Sequence, residues 1–190
     1  MIRRAPPRPG NGPAVLRRFG RDPRGVAAIE FAVLFPVLLL VYMGGFDVSR
    51  ACALSSRLND MTLELCDVAS QYDILYDSDL SCLFAAASQI MTPDDTLPVG
   101  VVISEVSTDG EGRATVAWSQ AANGAAPLVK AAPFPLATGL AAPNVSYIVV
   151  QTHYVYQPFF GVANAPVMPL SAQAVFAPRN RASIDYAPST

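Results

Sequence analysis

The sequence predicts an α+β protein: a long N-terminal helix whose first half can cross a membrane, a short second helix, and a small antiparallel sheet of about four strands. Three observations predict it. An apolar run from Val26 to Phe46 is followed by apolar residues at three- and four-residue spacing as far as Val68. A second helical pattern covers Ser78 to Met91. Past residue 98 the chain turns to β-branched and aromatic runs set between clusters of Gly, Pro, Asn and Asp.

The elements follow in order. Residues 1–25 form a basic leader with Pro6, Pro7, Pro9, Pro13 and Pro23 among four glycines, a composition that resists helix and favours disorder. Val26 to Phe46 holds 21 residues and a single charge, Glu30. At ~1.5 Å per residue it covers roughly 31 Å, enough for a bilayer core. Pro36 lies within it, where a kink or local unwinding is expected. Residues 47–71 continue the same helix into the head, with Phe46, Arg50, Leu54, Arg57, Leu58, Met61, Leu65 and Val68 near three- to four-residue spacing. A globular head is expected over 72–178 and a loose tail over 179–190. In the head, Asp77 or Ser78 can cap the second helix and Pro93 ends it. Val99–Ser107 and Arg113–Ser119 flank a turn-forming stretch and read as a hairpin. The Ala-, Pro- and Gly-rich residues 120–143 read as a long loop, Val145–Gln157 as a central strand and Leu170–Phe176 as the last strand.

Charge separates the chain into two parts. Residues 1–25 carry seven arginines against Asp22 alone, whereas the remainder carries six basic and fourteen acidic residues. A basic end retained in the cytoplasm and an acidic, exported remainder is the topology this implies. A nucleic-acid-binding arm is the competing reading of the leader, but only Phe19 interleaves with its arginines and a membrane segment follows at once.

The most informative string is Arg24-Gly25-Val26-Ala27-Ala28-Ile29-Glu30-Phe31. Gly25 borders the apolar run and Glu30 is the fifth residue after it. A carboxylate in lipid costs ~2.5–3.5 kcal/mol on insertion scales, so a lone acid there needs a reason. The string resembles the processing site of Flp-type and TadE-like pilins. The wider run RRFGRDPRGVAAIEFAVLFPVLLLVYMGGFDVSR is similar to the TadE-like region, and YVYQPFF and LSAQAVFAPRNR resemble the C-terminal parts of TadE-like proteins more softly. The resemblance implies a TadE-like minor pilin (pseudopilin) of the tight-adherence, or Flp-type, pilus. By that resemblance an aspartic prepilin peptidase cuts between Gly25 and Val26, and Glu30 and Phe31 belong to the motif for processing and assembly. Implied partners are the membrane, the prepilin peptidase, other pilin subunits and the pilus assembly platform. The implied location is the bacterial inner membrane in a single pass, N-terminus cytoplasmic and head periplasmic, with the extracellular pilus as a later destination. Phe31 stands where Flp major pilins usually carry tyrosine, which favours a minor pilin.

Chemistry elsewhere is sparse. Cys52 and Cys66 lie about 21 Å apart along one helix, too far to bridge. Cys66, near the end of the long helix, and Cys82, near the start of the second, are a candidate disulfide in an oxidising compartment; three small buried apolar thiols are the alternative. Zinc is disfavoured by the lack of a CxxC pair, and the acids Asp73, Asp77, Asp79, Asp94 and Asp95 fit no EF-hand spacing. His153, the only histidine, has no Cys or acid at ligand spacing. No catalytic motif and no cofactor signature is visible, so an enzyme is not expected. The competing functional reading is a membrane-anchored periplasmic binding protein, either uncleaved or cut by signal peptidase near Ala51-Cys52-Ala53; Asp47 and Arg50 make a poor cleavage region.

Overall fold

The computed structural model describes residues 23–90, 99–137, 139–140, 142–160, 167–179 and 182–188. The order is α1 (Pro23–Ala69), β1 (Ile74–Tyr76), α2 (Asp77–Ile90), β2 (Gly100–Thr108), β3 (Ala114–Ala122), β4 (Ser146–Tyr156), β5 (Met168–Phe176) and β6 (Asp185–Ala187). The α+β class, the long apolar helix, the second helix and the four-stranded antiparallel sheet are those the sequence predicts. Residues 1–22 of the leader and the expected helix stop at Pro93 lie outside the described residues, whereas Pro23–Gly25, expected in the disordered leader, are already helical. Two compact units result, Met1–Phe46 and Asp47–Thr190.

In the first unit the apolar run is helical throughout. Proline at the first helical position has a fixed φ suited to a helix and lacks a donor that would go unpaired there anyway, and Pro23 takes that position. Pro36 removes one ladder bond, yet the helical run passes through it. Residues 25–42 are exposed all round.

In the second unit, Ala51, Leu54, Leu58, Met61, Leu65 and Ala69 form the buried stripe of α1. Their spacing alternates between three and four residues, which keeps one face toward the sheet. That face packs on Val101, Ile103, Ile148, Val150, Tyr154 and Tyr156, together with Leu75, Leu80 and Leu83. Each fully buried Leu, Ile or Val contributes about 1.5–3 kcal/mol relative to exposure. One polar clasp crosses this interface. Thr62 Oγ1 donates to the Leu58 carbonyl at 2.6 Å and accepts from Thr152 Oγ1 at 2.7 Å. With both hydroxyls satisfied, the buried pair costs little.

The main sheet runs β3-β2-β4-β5, antiparallel throughout, so β4 is central as its β-branched sequence suggests. Its second face is also covered. Val106, Ala114, Val116 and Val149 pack against Phe134 from the β3–β4 loop, with Leu128 and Leu136 half-buried beside them. The loop also extends the sheet edge: Val116 N–H donates to the Ala132 carbonyl at 3.0 Å, and Phe134 N–H to the Ala114 carbonyl at 2.9 Å. An edge strand of β3's composition would otherwise present open amides.

Two features depart from the sequence reading. The break after α1 contains a strand, β1, and the amide of Tyr76 donates to Asp79 Oδ2 at 3.1 Å. Asp79, at the third helical position, therefore supplies the reciprocal half of a capping box, rather than Asp77 or Ser78 capping the helix. The tail is not loose over its described residues. β6 pairs in parallel with β1, Arg179 N–H donates to the Ser70 carbonyl at 3.0 Å, and the Arg179 guanidinium pairs with Asp67. Ile184 is 0 % exposed. Its carbonyl accepts from Trp118 Nε1 at 2.7 Å and its amide donates to Glu105 Oε1 at 3.2 Å. Burial raises the Glu105 carboxyl above its ordinary range, and hydrogen bonds from Ile184, Ser146 and Trp118 oppose the rise. Tyr186 completes the closure, its ring 5.8 Å from that of Trp118 and its hydroxyl 2.5 Å from Asp77 Oδ1.

Candidate functional site

The candidate processing and assembly residues all lie on the N-terminal part of α1. Gly25, Val26, Glu30 and Phe31 are exposed, and Phe31 and Phe35 stack one turn apart with ring centroids 5.5 Å apart. Val26 and Glu30 are four residues apart in a continuous helix, hence on the same face. The helix starts at Pro23, and no acid lies in its first turn. Only in a helix shortened to begin at Val26 does Glu30 come close to the N-terminus, where the helix dipole favours an anion. The Gly25–Val26 bond is itself helical. A protease needs an extended segment, so cutting here requires one turn to unwind, and Gly25 weakens that turn.

An all-round apolar and exposed helix is a poor surface for water. Among the described residues α1 is the one helix long and apolar enough, by length and composition, to cross a membrane. Glu30 and the exposed Val26, Ile29, Val33, Val37, Leu40 and Val41 are then set for lipid or for other apolar helices.

A second constellation was not legible as a site. Asp47, the first residue after the apolar run, is 7 % exposed. Its carboxylate accepts from the amides of Phe159 at 2.9 Å and Phe160 at 3.3 Å, and Tyr156 Oη lies 3.3 Å from its carbonyl. Desolvation, with the Asp47 charge beside it, pushes the Tyr156 phenol above its ordinary range. A single Asp after a hydrophobic run carries no periodic signal, and its partners lie more than a hundred positions along the chain.

The cysteines are free thiols, and the expected Cys66–Cys82 bridge is not formed. Cys66 lies inside the core with Sγ 3.4 Å from the Ile148 carbonyl, whereas Cys82 is on the exposed side of α2. Two helices joined by a bare connector would bring the two thiols level. β1 occupies that connector, and Cys66 points into the sheet. Burial pushes the Cys66 thiol up to about 12. A maleimide should therefore add to Cys52 and Cys82 in the folded protein and to Cys66 only in denaturant, which intact mass will read as two labels becoming three. One native label, rising to three only after reduction and unfolding, would mean the bridge forms.

Among the described residues no group of three or more His, Cys, Asp or Glu could hold a metal ion. His153 is exposed on β4 opposite Ser171.

These features define a class: an α+β head carried on a helix whose leading half is built for an apolar surrounding. The family model described as TadE-like protein matches residues 25–64, the segment holding Gly25, Glu30 and the first four residues of the α1 core stripe. That N-terminal segment is thus similar to TadE-like proteins. Neither the comparison with curated proteins nor that with solved structures gives a match.

Proposed function

We propose that this chain is a minor pilin, or pseudopilin, precursor. A prepilin peptidase cuts it after Gly25, and the mature protein takes part in assembling or priming a tight-adherence (Flp-type) pilus used for surface attachment. The observation that carries the reading is the register of Gly25 and Glu30 at the start of an apolar, uncovered helix that matches the TadE-like model.

Cleavage hydrolyses the Gly25–Val26 peptide bond, leaving a carboxylate on Gly25 and a free α-amine on Val26. That amine is cationic near neutral pH. Glu30, one turn away, neutralises it within one chain or reaches the amine of a neighbouring subunit. Either group alone is costly in an apolar surrounding, so their pairing favours assembly and sets axial register. The basic leader keeps the N-terminus in the cytoplasm and the acidic head is delivered to the periplasm, in a single pass of the inner membrane. The partners are the peptidase, other pilin subunits and the assembly platform.

A cut near Ala51-Cys52-Ala53 by signal peptidase fits less well. It would remove Asp47 and split the α1 stripe that forms the head's core.

Intact mass and N-terminal sequence of the membrane-extracted protein, with and without co-expressed prepilin peptidase, test the proposal. The expected result is a peptidase-dependent start at Val26 that Gly25→Val abolishes. A start at Met1 under both conditions, or one near Leu54, would sink it.

A further inference from the structure

The β4–β5 connection opens with an aromatic pair held by a built receptor. Phe159 is 68 % exposed and Phe160 partly so, and their rings meet edge-on with centroids 5.1 Å apart. Both backbone amides are fixed by the buried Asp47 carboxylate, and the Arg50 guanidinium lies 6.0 Å from the Phe159 ring centroid. Val155 adds an exposed apolar side chain on the outward face of β4. A turn restrained through two consecutive amides keeps its rings in one place, and presenting two phenylalanines there is unfavourable against water alone.

Depth follows from connectivity. Asp47 directly follows Phe46, the last residue of the apolar run. Where residues 26–46 cross a bilayer, Asp47 stands at its aqueous boundary. A 2.9 Å hydrogen bond then puts the Phe159 backbone at the same depth. Aromatic rings beside a guanidinium suit the headgroup level, where apolar bodies enter the acyl boundary and cations meet phosphates.

We propose that the Phe159–Phe160 turn is an interfacial anchor whose rings insert into the headgroup region of a phospholipid surface, fixing the depth of the head. The inference rests on the membrane-span reading of residues 26–46. Its consequence is a second, reversible membrane contact that must be released when the subunit leaves the bilayer.

The test uses the full chain in vesicles of phosphatidylethanolamine and phosphatidylglycerol, with Phe159→Trp as probe and the unsubstituted chain, carrying Trp118 alone, as background. The exposed position tolerates the larger ring. Interfacial burial of ~5–10 Å predicts a blue-shifted emission that loses about half its intensity to lipids brominated near the start of the acyl chain, beyond the loss seen for Trp118. A parallel Leu38→Trp chain reports on the span itself through deeply brominated lipids. Quenching of Leu38→Trp by lipid, with Phe159→Trp quenched only by aqueous iodide, would overturn the anchor and leave the span standing. Failure of lipid to quench either would overturn the span and the anchor together.

Discussion

Replacing Ile184 by alanine should cost the head about 2–5 kcal/mol of unfolding free energy, as large a loss as a mid-core substitution gives. Ile184 is fully buried and lies in the cluster built on Leu58, Met61 and Ile103. Removing three carbons leaves a cavity that the sheet cannot close, because Trp118 and Glu105 hold the Ile184 backbone from both sides. The measurement is denaturant unfolding of the full chain in detergent, read through Trp118, whose indole bonds the Ile184 carbonyl and so reports on the site directly. A lower midpoint at unchanged slope is expected. A loss below about 0.5 kcal/mol, the range of ordinary surface substitutions, would show that the segment merely rests on the surface.

Glu30→Val should leave membrane insertion intact while removing the processed protein from assembled pilus material. If the Val26 amine and Glu30 pair within an apolar helix bundle, deleting the carboxylate strands a cation there. Breaking a buried pair costs ~3–5 kcal/mol, equivalent to roughly a hundredfold to a few thousandfold in association. The valine side chain keeps helix and hydrophobicity, so any loss reports on charge. The assay is the fraction of processed subunit recovered with other pilin subunits after shearing or cross-linking, with Glu30→Gln as an intermediate case. Normal recovery of Glu30→Val would exclude a pairing role and leave Glu30 as an interfacial residue of the anchor.

The parts of this molecule readable from sequence are those with a repeating signal. Leu54, Leu58, Met61 and Leu65 announce a helix face, and the β-branched run around Ile148–Val150 announces a central strand. β1 and β6 have three residues each, and their parallel pairing joins segments at opposite ends of the head. No period exists in three residues, and parallel pairing leaves no turn between the strands. Ile184 is one apolar residue in a polar stretch, so its burial depends on partners that only the fold assembles. That the β3–β4 loop packs on the sheet is hidden for a related reason. Phe134, Leu128 and Leu136 lie among Ala, Pro and Gly without alternation, yet they roof the second face of the sheet. At the candidate site, Gly25 and Glu30 are legible because their meaning is a spacing along the chain. Asp47 is not, because its meaning is a contact with Phe159 and Phe160.

The place of Ile184 in the chain also sets a timetable. A head delivered N-terminus first across a membrane receives its helices, then β2 through β5, and only then the residue that fills the last space in the core. Until that residue arrives, the pit between Trp118 and Glu105 stays open and β1 lacks its neighbour. Closing contacts between remote segments is slow. For a head so delivered, emergence and completion of the fold are separate events, and the interval between them is when a chaperone or a protease can act on it.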